Sequence, residues 1–304
     1  FSSHGWVRNT AGLSYALSMP LAISQAEGGL SGLIAAVALP WLALVVHQVA
    51  TEELSAQALW SRVGVAGLLV AAISAAAPSI AALLIVLIAS VALVRIRRVG
   101  YLIWTGLPLA AIFVPLALYA AFTLGQPLVV LADPGVAVTS PSLLSLLTDN
   151  PLGWVCSVAP LVLLAGFALL SKRSGQALAG WSIALLAAAA AWLLSSASFA
   201  DGSSPSVLPA ASLAMLGLVI AATAMLETLA EFDPTVRRGR RPMHYLLAAV
   251  AVLAVVSIGW SFLHRAGGNV VSRQVLLHEV WGYKDGVTTH TVETHIYRLR
   301  RKVE

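Results

Sequence analysis

The chain has 304 residues, of which 59% are hydrophobic and 10% charged, with a formal net charge of +5. Mean hydropathy is +0.88; a soluble domain carries about 25% charged residues, so a soluble globular enzyme is excluded and an all-α polytopic membrane protein expected. A single cysteine, Cys156, excludes an intrachain disulfide and a cysteine-based zinc site, and reads as a small apolar residue of a helix.

Residues 1–29 are polar and broken by glycine, and assign themselves to no element. The apolar runs after them are Leu30–Val49, Val63–Val94, Tyr101–Phe122, Leu152–Leu170, Ala177–Leu194, Val207–Leu226 and Met243–Leu263. Most are near the ~20 residues that cross a ~30 Å hydrocarbon core. Val63–Val94 would reach roughly 48 Å as one helix. Pro78 lies near its middle, where a missing N–H and a ring clash favour a break. It is expected to form two short helices around a turn at Ala77–Ser79, which gives about eight spans over residues 30–261.

Lys and Arg accumulate in cytoplasmic loops. Arg95, Arg97 and Arg98 fill one loop, Lys172 and Arg173 a second, and Arg237, Arg238, Arg240 and Arg241 a third. The loops between them, 123–151 and 195–206, hold no Lys or Arg and carry Asp133, Asp149 and Asp201. Loops 95–100, 171–176 and 227–242 are therefore expected in the cytoplasm of a bacterial cell membrane, with Met243–Leu263 running outward. If 63–94 were one helix, only the topology upstream of it would invert.

The spans are rich in Ala and Gly, which lets membrane helices approach closely. They hold almost no ionisable residues, which disfavours an ion-coupled carrier. His47 falls in the last turn of a span, and Glu52, Glu53, Glu227 and Glu231 at membrane edges, where water is expected to solvate them. Trp41, Trp60, Trp104, Trp154 and Trp260 are expected in interfacial belts. In the outer loop, Asp133-Pro134-Gly135 is turn chemistry, with a ligand-facing Asp133 the sharper alternative.

Three stretches, GGLSGLIAAVALPWLALVV, RVGVAGLLVAAISAAAPSIAALLIVL and PLVVLADPG, carry a family likeness. Residues 20–260 resemble the membrane-embedded half of large actinobacterial family 2 glycosyltransferases. That resemblance implies a non-catalytic membrane module with lipid-linked sugar as its partner, because the nucleotide-sugar domain that transfers sugar in such enzymes does not occur here. No catalytic constellation and no cofactor are read from the chain.

From Phe262 on, the composition changes: this segment holds seven of the eighteen Lys/Arg and four of the seven His. Ser272 can cap a helix Arg273–Trp281, with Leu276, Leu277, Val280 and Trp281 as its apolar face and Gly282 as its end. Thr289 can cap a second helix reaching Glu304, whose apolar stripe is Val292, Ile296, Leu299 and Val303. Its other side shows Thr294, Tyr297, Arg298 and Arg301, flanked by His290, His295, Arg300 and Lys302. A helix, a turn and a basic helix is how a helix-turn-helix enters the major groove. A histidine metal site at His290 and His295 fails on spacing, since five residues put them on different faces.

The strings VVSRQVLLHEVWGY and THTVETHIYRLRRKVE resemble the OmpR/PhoB-type winged helix of two-component response regulators. The resemblance implies that Arg273–Trp281 is the positioning helix, Gly282–Thr288 the loop that faces polymerase, and Thr289–Glu304 the recognition helix. It implies Arg298 for a base contact and His295, Arg300 and Arg301 for phosphates. The winged-helix segment is truncated: the leading sheet, most of the first helix, the wing hairpin and the phosphorelay receiver domain of that family are not in the chain. Phe1 at the start and Glu304 inside a helix lead us to expect that both ends are truncated.

DNA binding and transcription regulation by residues 262–304 is the activity the sequence favours, with DNA and the lipid bilayer as partners. The last span, however, would carry that segment outside. Body and tail are therefore expected to be a composite, with a seam between Ser257 and Arg265. The alternatives are the glycosyltransferase module and, less favoured, a small-solute transporter.

Overall fold

The computed structural model describes residues 4–26, 30–124, 151–196 and 205–231, and every regular element among them is helical. Backbone contacts divide the chain into two units, Phe1–Leu263 and His264–Glu304. The described residues all belong to the first unit.

Two short helices, α1 (Gly5–Ala16) and α2 (Met19–Ala26), occupy the stretch that hydropathy leaves unassigned. Then come α3 (Leu30–Thr51), α4 (Ala56–Ala76) and α5 (Ala81–Val94), followed by α6 (Val99–Thr105) and α7 (Leu107–Tyr119). Further along the chain come α8 (Pro151–Ala168), α9 (Ser174–Ser196) and α10 (Leu208–Ala230). Four helices are long and apolar enough to cross a membrane: Gly32–Thr51 within α3, then α4, α9 and α10. A bent pair, Pro78–Val94 with Ile96–Thr105, would make a fifth. Met243–Leu263 lies outside the described residues.

The break expected at Ala77–Ser79 is present. Ala77, at φ −133° and ψ 77°, ends α4, and Pro78 opens a 3₁₀ turn to Ile80. A residue before proline is pushed out of the helical region. The first half is not short, however. Ser55 caps α4 eight residues before Val63, its hydroxyl accepting from the Ala58 N–H at 3.4 Å, so α4 reaches 21 residues. Residues 101–122 depart from the single expected span: α6 ends at Thr105, Gly106 intervenes, and Leu107-Pro108 opens α7. At Arg95 the chain turns through 115° between the pair of helices on either side.

Helix α10 is the central post. Sixteen of its residues from Leu208 to Glu227 are buried, and α1, α2, α3, α8 and α9 all pack against it. The closest packing is with α9, which buries Ala177, Gly180, Ala184, Ala187 and Ala191. A Cβ on Gly180 would stand 2.5 Å from the Ala221 nitrogen, and one on Gly217 the same distance from the Ala184 nitrogen. Backbone therefore meets backbone at this crossing, and only glycine fits on both sides.

Proline inside α3 explains one contact of the N-terminal helices. Pro40 has no N–H to give to the Ala36 carbonyl one turn earlier. The Tyr15 hydroxyl donates to that carbonyl at 2.8 Å and fills the vacancy. A backbone carbonyl left unpaired in an apolar surrounding is costly. Burial holds the Tyr15 phenol above its ordinary value of 10, so its stabilisation is intact below about pH 10 and lost as the pH rises further. Tyr15→Phe is expected to destabilise the protein by about 1–3 kcal/mol, read from thermal unfolding in detergent. In a Pro40→Ala background, where the helical N–H is restored, the same change should cost under about 1 kcal/mol. Equal losses in both backgrounds would contradict the assignment.

Candidate functional site

The body carries one charged cluster joined by ion pairs among the described residues. Arg173, in the turn between α8 and α9, places one guanidinium nitrogen on Glu227 and another on Glu231. The two carboxylates are four residues apart and so share a face of α10. Above all the hydrogen-bonded Glu231, with Glu227 beside it, holds the Arg173 guanidinium above its ordinary value. One turn further in, the Gln176 amide donates to the Thr223 hydroxyl at 3.1 Å. Trp181 Nε1 donates to the Ala165 carbonyl at 3.0 Å, tying α9 to α8.

Glu227 departs from the sequence expectation of a solvated carboxylate at a membrane edge. The residue is fully buried, with Oε2 on Arg173 and Oε1 without a hydrogen-bond partner. The reason is helix length. The apolar run ends at Leu226, but α10 continues to Ala230, so the last turn still faces its neighbours. Glu231 lies just past that turn and is exposed, as expected. The signal is present in the sequence as spacing: Glu227 falls three and four residues after Ala224 and Thr223, which are both buried.

Trp60 and Trp104 stand exposed, and Trp60 meets both Tyr101 and Trp104 edge-on. Trp41 is exposed too, but lies halfway along α3 rather than near an end of it. His47 sits exposed in the last turns of α3 as expected. Asp133 lies outside the described residues.

No group of three or more His, Cys, Asp or Glu among the described residues is arranged to hold a metal ion. A cavity of about 10 Å³ between α1, α8 and α10, lined by Thr10, Ser14, Leu164, Thr223 and others, has room for about one water. The ion cluster therefore reads as a clamp on the α8–α9 turn. Arg173→Ala is expected to cost about 2–3 kcal/mol, because it strands a buried carboxylate; the figure sits low because the Arg173 side chain is itself 32% exposed. Glu231→Gln should cost under about 1 kcal/mol, and Arg173→Ala with Glu227→Ala should be less damaging than Arg173→Ala alone. Thermal unfolding of the four proteins checks that order, and a double variant worse than the single would refute it.

The candidate DNA-contacting residues Thr294, His295, Tyr297, Arg298, Arg300 and Arg301 all lie outside the described residues, as do the helices proposed to carry them. Their case rests on the sequence and on the comparison with known families. No curated protein and no solved structure matches the chain. Residues 260–304 match the family model described as "Transcriptional regulatory protein, C terminal". The chain's C-terminal segment is therefore similar to the OmpR/PhoB-type C-terminal domain of transcription regulators, and the match spans that segment alone.

Proposed function

We propose that residues 262–304 bind duplex DNA as part of response-regulator-type transcription regulation, and that they are joined to a multi-pass membrane body of separate origin. The observation that carries the first part is the family match at 260–304. It covers Thr294, Tyr297, Arg298 and Arg301, the residues whose spacing predicts a basic helical face. Arg298 would read guanine through its two-pronged guanidinium. His295, Arg300 and Arg301 would neutralise phosphates, with the Thr294 and Tyr297 hydroxyls adding further donors.

The second part rests on sidedness. Arg98 donates to the Glu52 carbonyl at 3.2 Å, which brings the α3–α4 turn and the α5–α6 elbow to one end of the body. At the N-terminal ends of α3 and α10, a Cβ on Gly32 would lie 3.7 Å from the Leu208 Cβ. The two helices then run the same way, and Arg173 and Glu227 fall at the elbow's end. This supports one cytoplasmic side for loops 95–100, 171–176 and 227–242. With about eight spans, the eighth would deliver the tail to the opposite side, away from DNA. A seam between Ser257 and Arg265 resolves the conflict. No specific observation favours the glycosyltransferase module or the transporter.

The test of DNA binding uses the full chain in nanodiscs, where both membrane faces are open, with a labelled duplex followed by fluorescence anisotropy. Affinity should fall linearly with log salt. Arg300→Ala and Arg301→Ala should each reduce that slope by about one. Arg298→Ala should cost about 1–3 kcal/mol and relax base preference at one position. Wild-type slopes and preferences in all three variants would overturn the proposal.

A further inference from the structure

We propose that the α5–α6 elbow is a binding site for one anionic phospholipid, with Arg95 and Arg97 on its phosphodiester and its acyl chains along the Trp60–Trp104 edge. The inference rests on the membrane placement of the body and not on DNA binding by the tail.

The elbow puts opposite chemistries side by side. Across Leu93-Val94-Arg95-Ile96-Arg97-Arg98, Leu93 is 76%, Val94 79% and Ile96 66% exposed. Arg95 and Arg97 are also exposed, and Arg98 is half-buried. Such interleaving is wasteful in water, where three large apolar side chains would be left uncovered. It matches a lipid boundary, where apolar side chains meet acyl chains and guanidiniums meet headgroups.

The 115° turn at Arg95 folds α6 away from the line of α5. Leu59 and Val63 of α4, Ala92 of α5 and Leu102 of α6 pack into one buried cluster behind it. On the outer side of that cluster, Trp60 meets Tyr101 and Trp104 edge-on, with centroids at 5.1 and 6.1 Å. Both Trp rings remain about half exposed, which leaves an aromatic wall beside the basic turn.

Charge selects the headgroup. Of the arginines here, Arg62 is held by the Gln48 side-chain oxygen at 2.6 Å and Arg98 by the Glu52 carbonyl. The Arg95 and Arg97 guanidiniums make no hydrogen bond or ion pair among the described residues. The facing acids are Glu52 and Glu53 in the α3–α4 turn, both exposed, and neither forms an ion pair among the described residues. Four guanidiniums against two carboxylates favour an anionic headgroup, and guanidiniums bind a phosphodiester in two-pronged fashion. At Arg173, by contrast, the basic turn is already neutralised by two glutamates.

The experiment is native mass spectrometry of the full chain in detergent, titrated with phosphatidylglycerol and, separately, phosphatidylcholine. One phosphatidylglycerol should bind saturably and ahead of phosphatidylcholine. Each of Arg95→Gln and Arg97→Gln should weaken it roughly fivefold, and the pair about 25-fold. Lys172→Gln, at the other basic turn, should leave it unchanged, and a circular-dichroism melt should show the variants folded. The proposal is overturned if phosphatidylcholine binds equally, if the double variant binds as wild type, or if Lys172→Gln weakens binding as much. Carbonate-resistant membrane association of the same variants tests the membrane placement on its own.

Discussion

The body depends on the crossing of α9 and α10 at Gly180 and Gly217. In a bilayer, helices gain no hydrophobic drive from one another, so close packing and internal polar contacts must hold them. Two glycines facing each other let backbone approach backbone, and the Ala177–Ala191 stripe extends that approach over most of α9. This contact fixes where α10 lies, and α10 is what the other helices share. It also aligns Glu227 with Arg173 at one end of the pair and Gln176 with Thr223 beside them.

The breaks in the helices come from local chemistry and are legible in sequence. Pro78 ends a helix because its predecessor cannot stay helical, whatever surrounds it. The fate of a polar side chain is not legible, because it depends on neighbours distant in sequence. Glu227 and Glu231 look alike in the sequence, yet one is buried on Arg173 and the other exposed. Tyr15 lies in a stretch that hydropathy cannot assign, and its partner is a carbonyl vacated by a proline 25 positions later (15 to 40). Trp41 shows the limit of the aromatic-belt rule: it lies at mid-helix, where a ring facing outward would meet lipid.

The candidate DNA site has the opposite character. Nothing about it comes from the described residues, and all of it comes from residue identity, which predicts a capped helix, a turn, and a helix with an apolar stripe and a basic face. Such a pattern by spacing alone is shared with solvated and membrane-surface helices. The particular residues and the family match at 260–304 separate it from those. What is known of the body thus concerns packing, and what is known of the tail concerns recognition.

The side of the membrane on which the tail emerges decides whether the two belong to one functional unit. The direct measurement places single cysteines in a Cys156→Ser background, at Lys172→Cys in the basic turn and at Ala266→Cys just after the last apolar run. A membrane-impermeant maleimide is then applied to intact cells. Ala266→Cys is expected to be labelled while Lys172→Cys is protected, the two lying on opposite sides. Protection of both would contradict that expectation, and would make the chain a single membrane-anchored regulator with its DNA-binding segment in the cytoplasm.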